Sequence, residues 1–178
     1  MATMSERSEQ RRRAGLDPWL VDLYRSDYRR LVRLAALLVD EMGDAEEIVQ
    51  DAFIATSRAQ RNGALRDPTA TASYLRSAVA NGARSRLRKR RVRRRYLRSV
   101  APPPTAPPAD VGALESESTR EVLDALRTLP ERQRAVLVLR YYGDLSEAEI
   151  ADALRISAGT VKTHAHRGLA ALEDRLAP

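Results

Sequence analysis

The sequence predicts an all-α chain of two small helical domains joined by a flexible Pro-rich linker. Three observations carry that prediction. Aromatic residues make up only 4% of 178 residues, while Ala and Leu abound, a balance that favours helices over sheets. Apolar residues recur at helical spacing on both sides of the middle of the chain. Five of the nine prolines lie within 102–108, a stretch that cannot be helix and has almost nothing to bury. The expected organisation is a tail over 1–15, a first domain over 16–98, the linker over 99–117 and a second domain over 118–178.

In the first domain, Leu16, Leu20, Leu23, Leu31, Leu34 and Leu38, with Trp19 and Val32 beside them, keep a helical period that Gly43 is expected to end. Asp44 then reads as the cap of a second helix, with Glu47 three residues on in capping-box spacing. Ile48, Val49, Ala52 and Phe53 give that helix its apolar face. Asp67-Pro68 is a third start signal, a cap followed by proline in the first turn. Tyr74, Leu75, Ala78, Val79 and Leu87 follow on one face, and the arginine run after them continues the same helix. The linker, as polyproline II at ~3.1 Å per residue, reaches about 59 Å. That is enough to bridge about one and a half turns of DNA at ~34 Å per turn.

In the second domain, Val122, Leu126 and Leu129 make a short helix that stops at Pro130. A second helix carries Val136, Leu137, Leu139 and Tyr141 and ends near Gly143. Ser146 to Glu149 is a capping box opening a third, with Ile150, Ala151 and Leu154 inward. After the turn Arg155-Ile156-Ser157, a fourth helix runs from about Ala158 with Val161, Ala165, Leu169, Leu172 and Leu176 as its inward stripe. A short helix, a tight turn and a longer helix make a helix-turn-helix.

Charge and composition narrow the function. There are 31 Lys+Arg against 24 Asp+Glu, a net charge of +7, and all but two of the bases are arginine. An anionic partner is expected. The absence of cysteine excludes disulfides, Cys-ligated zinc and thiol nucleophiles. No stretch approaches the roughly 18 apolar residues of a membrane span, and Met1 to Arg13 is too polar for a secretory signal. A cytoplasmic protein without membrane insertion is therefore expected. No Gly-rich phosphate loop, nucleophile elbow or acid–base pair is present, so neither an enzymatic activity nor a cofactor is expected.

The charge is uneven. Residues 14–98 carry 18 bases and ten acids, 99–117 three acids and no base, and 118–178 nine of each. Ten bases fall within 84–98 without one acid, whereas Asp40 to Asp51 holds six acids and no base. Nucleic-acid binding alone has no use for the second cluster, so two opposite patches point to two partners. Asp44, Glu47 and Asp51 share a helix face, but no histidine joins them and a metal is not expected. His164 and His166, two apart, point to different sides and cannot chelate together. On the fourth helix, Thr160, Lys162, Thr163, His166 and Arg167 lie outward on the N-terminal half, the part that enters a major groove in helix-turn-helix proteins. The basic run suits phosphates, and Asn81 just before it can present an amide to a base edge. On these residues alone, a stand-alone helix-turn-helix regulator, a helical protein-interaction module and a general RNA-binding basic protein stay open as alternatives.

The order of these pieces is more specific than any one of them. Asp44-Ala-Glu-Glu-Ile-Val-Gln-Asp-Ala-Phe53, then Tyr74 to Asn81 with its basic run, a linker, Leu129-Pro-Glu-Arg-Gln-Arg134, Ser146 to Ala151 and Gly159-Thr-Val-Lys162 resemble the extracytoplasmic-function (group IV) sigma factors of the sigma-70 family. The resemblance spans nearly all of 16–177, and the Arg/Ala/Pro-rich composition is similar to that of actinobacterial members. It implies a factor that lends promoter specificity to bacterial RNA polymerase. Its partners would be core polymerase (the beta-prime clamp and the beta flap), promoter DNA and an anti-sigma factor. By position, Asp44, Glu47, Gln50 and Asp51 match the clamp-binding helix. Asn81, Arg84, Arg86, Arg88 and Lys89 match the minus-10 helix. Thr160, Lys162, Thr163, His166 and Arg167 match the minus-35 recognition helix. The family often has an aromatic where His166 stands and Glu where Asp51 stands. The aromatics that help melt DNA are scarce here, which implies flipping of a base into a pocket. The end of the basic run, Arg93 to Arg98, matches no assigned role.

Overall fold

The computed structural model describes residues 18–39, 41–65, 67–96 and 117–177. Leu16, Asp40, Arg98, the tail and nearly all of the Pro-rich stretch lie outside them. Every element among the described residues is helical.

Three helices form the first unit: α1 (Pro18–Leu38), α2 (Met42–Arg61) and α3 (Pro68–Tyr96). They enclose Leu31, Leu34, Leu38, Ile48, Val49, Ala52, Leu75 and Val79, as the periodicity predicts. Tyr74 departs from that face and stands 40% exposed. Asp67 starts α3 as its sequence suggests: its carboxylate accepts from the backbone N–H of Thr69 at 3.1 Å and of Ala70 at 3.3 Å. The arginine run continues α3 without a break, making it 29 residues long.

Asp44 does not cap α2. The helix begins two residues earlier, the capping position is Glu41, and no side chain bonds the freed N–H groups there. Gly43 therefore sits in the first turn of α2 rather than ending α1. The Asp44 carboxylate is engaged elsewhere, 3.3 Å from Nε of Arg86.

The second unit holds α4 (Glu117–Thr128), α5 (Glu131–Leu137), α6 (Glu147–Leu154) and α7 (Ala158–Leu176). From Val138 to Tyr142, α5 widens into a π turn, and Gly143 closes it with an N–H bond back to Val138 O at 3.0 Å. Ser146 and Glu149 form the reciprocal capping box at the start of α6. Arg155 turns the chain in the left-handed region at φ 52°, and Ser157 caps α7. The helix-turn-helix is thus α6, Arg155 to Ser157, and α7.

The inward stripe of α7 departs from the expected one after Ala165. Gly168 is buried instead of Leu169, which is 37% exposed, and Leu176 is 41% exposed. A Cβ on Gly168 would lie 2.9 Å from Leu137 Cδ1, so the missing side chain is what lets α5 close onto α7.

The two units pack against one another. Residues of both line one continuous apolar core, with α3 against α6 and α1 against the π turn. Polar contacts frame the seam. Arg30 reaches Tyr142 O at 3.3 Å and pairs with Asp144. Ser73 donates to Glu149, and Arg91 pairs with Glu131 at 2.6 Å.

Candidate nucleic-acid interface

The basic run acquires two faces because α3 is a continuous helix. Arg86 and Arg90, one turn apart, turn toward α2. Arg86 pairs with Asp44 and Glu47, and Arg90 with Glu41 at 2.9 Å. The hydrogen bond that Arg86 donates to the Glu47 carboxylate is the main cause that raises the Arg86 guanidinium pKa above its ordinary value. Part of the acidic patch and part of the basic patch therefore face each other. Asp44, Glu47 and Arg86, which the resemblance assigns to two different partners, make one ion-paired cluster.

Arg84 and Arg88 occupy another side of α3 and look across the seam at the second unit, lining a cavity of about 180 Å³ together with Arg132 and Arg155. Asn81 and Lys89 are exposed, as is Arg88. The five residues of the minus-10 assignment thus form no single surface. Asn81, Arg88 and Lys89 are open to solvent, Arg84 is half-buried in the seam, and Arg86 is tied to α2.

On α2, Gln50 and Asp51 are exposed. Gln50 borders an open groove of about 590 Å³ between α1 and α2, lined also by Leu20, Tyr24, Phe53 and Ile54. Tyr24 packs against Tyr28 with ring centres 4.7 Å apart and the rings tilted by 34°, and lies edge-to-face with Phe53 at 5.0 Å. Ile54 and Tyr24 are each nearly half exposed, an apolar surface next to the acidic residues that charge counting does not find. The only signal for them in the sequence is that both lie off the buried stripes of their helices.

On α7, Lys162, Thr163, His166 and Arg167 are all exposed on the N-terminal half of the helix. Thr160 is not among these open groups, because its hydroxyl is bonded to Ser157 at 2.8 Å within the cap. Lys162 lies 3.7 Å from Glu147 of α6, and the Thr163 hydroxyl donates to Gly159 O. His166 and Arg167 carry no hydrogen bond or ion pair among the described residues, so they are the least encumbered donors on that face. His164, on the inner side, differs from its neighbour. Burial, then Arg132 and Arg167, push its pKa below the ordinary histidine value, and its Nδ1 is buried without a partner among the described residues.

No group of side chains among the described residues can hold a metal ion, and no described helix is long and apolar enough to cross a membrane.

Known proteins with this arrangement were found by sequence and by fold. The family profile described as Sigma-70 region 2 matches residues 23–93, and Sigma-70, region 4 matches 119–172. The chain is 36% identical to the RNA polymerase sigma-E factor of Streptomyces avermitilis over 82% of its own length and 78% of that protein. It is 33% identical to the ECF RNA polymerase sigma factor SigM of Mycobacterium tuberculosis, over 84% of this chain and 73% of that one. With SigW of Bacillus subtilis it shares 31% identity over 88% of this chain and 87% of SigW. By fold it is similar to the sigma factor RpoE of Bartonella quintana, solved with the anti-sigma factor NepR. The TM-score is 0.64 at 22% identity, covering 87% of this chain and 96% of that one.

Proposed function

The chain belongs to the sigma-70 family as an extracytoplasmic-function RNA polymerase sigma factor, and from that premise we propose how its surfaces divide the work of promoter recognition. As such a factor it associates with RNA polymerase and directs promoter recognition and transcription initiation. It acts by placing side chains, with no chemistry of its own.

The first unit, residues 16–98, is the polymerase-docking and minus-10 domain, and the second, 118–178, the minus-35 domain. The exposed face of α2, Gln50 and Asp51 beside the groove of Tyr24, Phe53 and Ile54, docks on the beta-prime clamp. Apolar area supplies the affinity there, and the acids set the register. Asp44 and Glu47 join that face once Arg86 turns from them to DNA. Asn81, Arg84, Arg88 and Lys89 take the minus-10 strand, with arginine forks on its phosphates. Lys162, Thr163, His166 and Arg167 enter the major groove at the minus-35 element. Leu169 and Leu176, a heptad apart and exposed on α7, offer an apolar strip for the beta flap. An anti-sigma factor is a further expected partner, as one is for the sigma factor of similar fold.

The observation that carries this reading is the exposed quartet on α7 behind a fully formed capped helix-turn-helix. The test is initiation in vitro. Purified chain added to sigma-free core polymerase yields transcripts from a defined set of promoters, and Arg167→Ala changes that set at the minus-35 element. An identical promoter set with Arg167→Ala removes base readout there; no transcript from any genomic template removes the reading as a whole.

A further inference from the structure

We propose that this chain has an anion site between its two units and binds there a small pyrophosphate-bearing ligand, held by Arg84 and Arg88 on one wall and by Arg132 and Arg155 on the other. The cavity of about 180 Å³ lies between α3 and the second unit. Arg84 and Arg88 are one helical turn apart on α3. Arg132 stands in the first turn of α5, and Arg155 ends α6. No carboxylate among the described residues pairs with any of the four. Glu131, the one acid among the described residues on the lining, is taken by Arg91 at 2.6 Å.

The arrangement gathers like charges at a partly buried place. Arg84 is half-buried, and its Nε has no partner among the described residues. Burial, then Arg155, Arg88 and Arg132, all push its pKa below the ordinary arginine value. Packing the units together thus brings four like charges to one place, and a counter-charge inside removes the repulsion.

The chemistry of that counter-charge follows from number and room. One terminal phosphate carries about −1.5 to −2 at neutral pH, and a second phosphate linked to it brings the total to about −3, which offsets most of four guanidinium charges where a single phosphate offsets at most half. Arginine forks grip phosphate oxygens in pairs, and here they come from opposite walls. At roughly 30 Å³ per water, the cavity has room for about six waters, more than a single phosphate fills. Leu87, Ala135 and Leu154 add an apolar wall that can take an organic group, so an inorganic pyrophosphate and a nucleoside diphosphate share the recognised chemistry. A ligand bridging both walls holds the units together. It also covers Arg84 and Arg88, and so opposes the use of α3 on DNA.

The test uses the full chain alone, without polymerase or DNA, so its failure leaves the sigma-factor reading untouched. Inorganic pyrophosphate and a nucleoside diphosphate are titrated calorimetrically at fixed ionic strength over excess chloride. Saturable binding at one site per chain is expected. Arg132→Ala and Arg155→Asn each weaken it about tenfold, the loss of one charge-assisted contact. Asn tolerates the left-handed backbone at 155, and both positions are exposed, so the fold is retained. Arg175→Ala, at the far end of α7, leaves binding unchanged. Tighter binding of the nucleoside diphosphate assigns the apolar wall to its base and sugar; equal binding assigns the site to the pyrophosphate group alone. Heats that never saturate, or an equal loss with Arg175→Ala, reduce the effect to general attraction by a +7 chain and overturn the proposal.

Discussion

Gly82 shows how a missing side chain holds the first unit together. A Cβ there would lie 2.8 Å from Cγ2 of Ile48, a branched, buried side chain of α2 that cannot swing aside. In an exposed helix Gly→Ala stabilises by about 1 kcal/mol. At this position the sign reverses, because α2 and α3 must separate. Gly82→Ala is expected to lower the stability of the chain by about 1–3 kcal/mol in urea unfolding. Arg86 is the opposite case, a charged side chain whose removal costs the fold little. Its pairs with Asp44 and Glu47 are partly exposed and contribute no more than about 1 kcal/mol. Arg86→Ala leaves unfolding nearly unchanged while freeing both carboxylates. Fluorescence titration with core polymerase is then expected to show tighter binding; weaker binding would mean that the paired cluster itself is what the polymerase grips.

Helix α7 combines a polar outer face with a titratable inner one. Burial, then the cations Arg132 and Arg167, disfavour the charged form of His164 and hold its pKa below the ordinary histidine value. An unfolded histidine takes up its proton near pH 6.5. Above that value both states are neutral and the stability of α7 is complete. As pH falls through 6.5 toward the lower folded pKa, the unfolded state binds more protons and stability declines. Urea midpoints are expected to drop between pH 7.5 and 5.5, with an m-value that stays constant, and His164→Gln flattens that slope. Glu149 acts in a separate, more acidic window. The hydroxyls of Ser146 and Ser73 hold its carboxyl below the ordinary range, so its contribution is present above that range and is lost only as pH falls through the lowered pKa. These helices also show which boundaries a sequence reveals. Asp67 and Ser146 are legible because each uses a side-chain oxygen on a backbone N–H. The start of α2 is not, because no side chain caps it and Asp44 is spent on Arg86. The stripe of α7 is misread after Ala165 because periodicity counts large apolar residues, whereas Gly168 is chosen for its absence of bulk.

The packing of the two units is the property least visible in the sequence. The four arginines of the proposed anion site come from positions 84, 88, 132 and 155, and nothing local in the chain brings them together. The Pro-rich stretch states that the halves are separable and is silent on whether they touch. Distance decides what this packing means for a sigma factor. A compact chain of this length is about 40 Å across. Minus-10 and minus-35 elements lie about 25 base pairs apart, or ~85 Å along the duplex at 3.4 Å per pair. The packed arrangement therefore cannot read both at once. The polar contacts along the seam are few and largely exposed, Arg30 with Asp144 and Arg91 with Glu131 among them, so they contribute little, and the apolar core the units share is the main cost of separating them. Because the chain has no cysteine, the point can be tested cleanly. Cysteines introduced at Arg91 and Glu131 are joined with a short, cleavable thiol crosslinker. The crosslinked chain is expected to lose promoter-directed transcription with core polymerase, and cleavage of the linker to restore it. The double variant without crosslinker serves as the reference for the lost ion pair. Full transcription from the crosslinked chain would mean that the packed form itself engages the promoter, and that the linker is never stretched between the two elements.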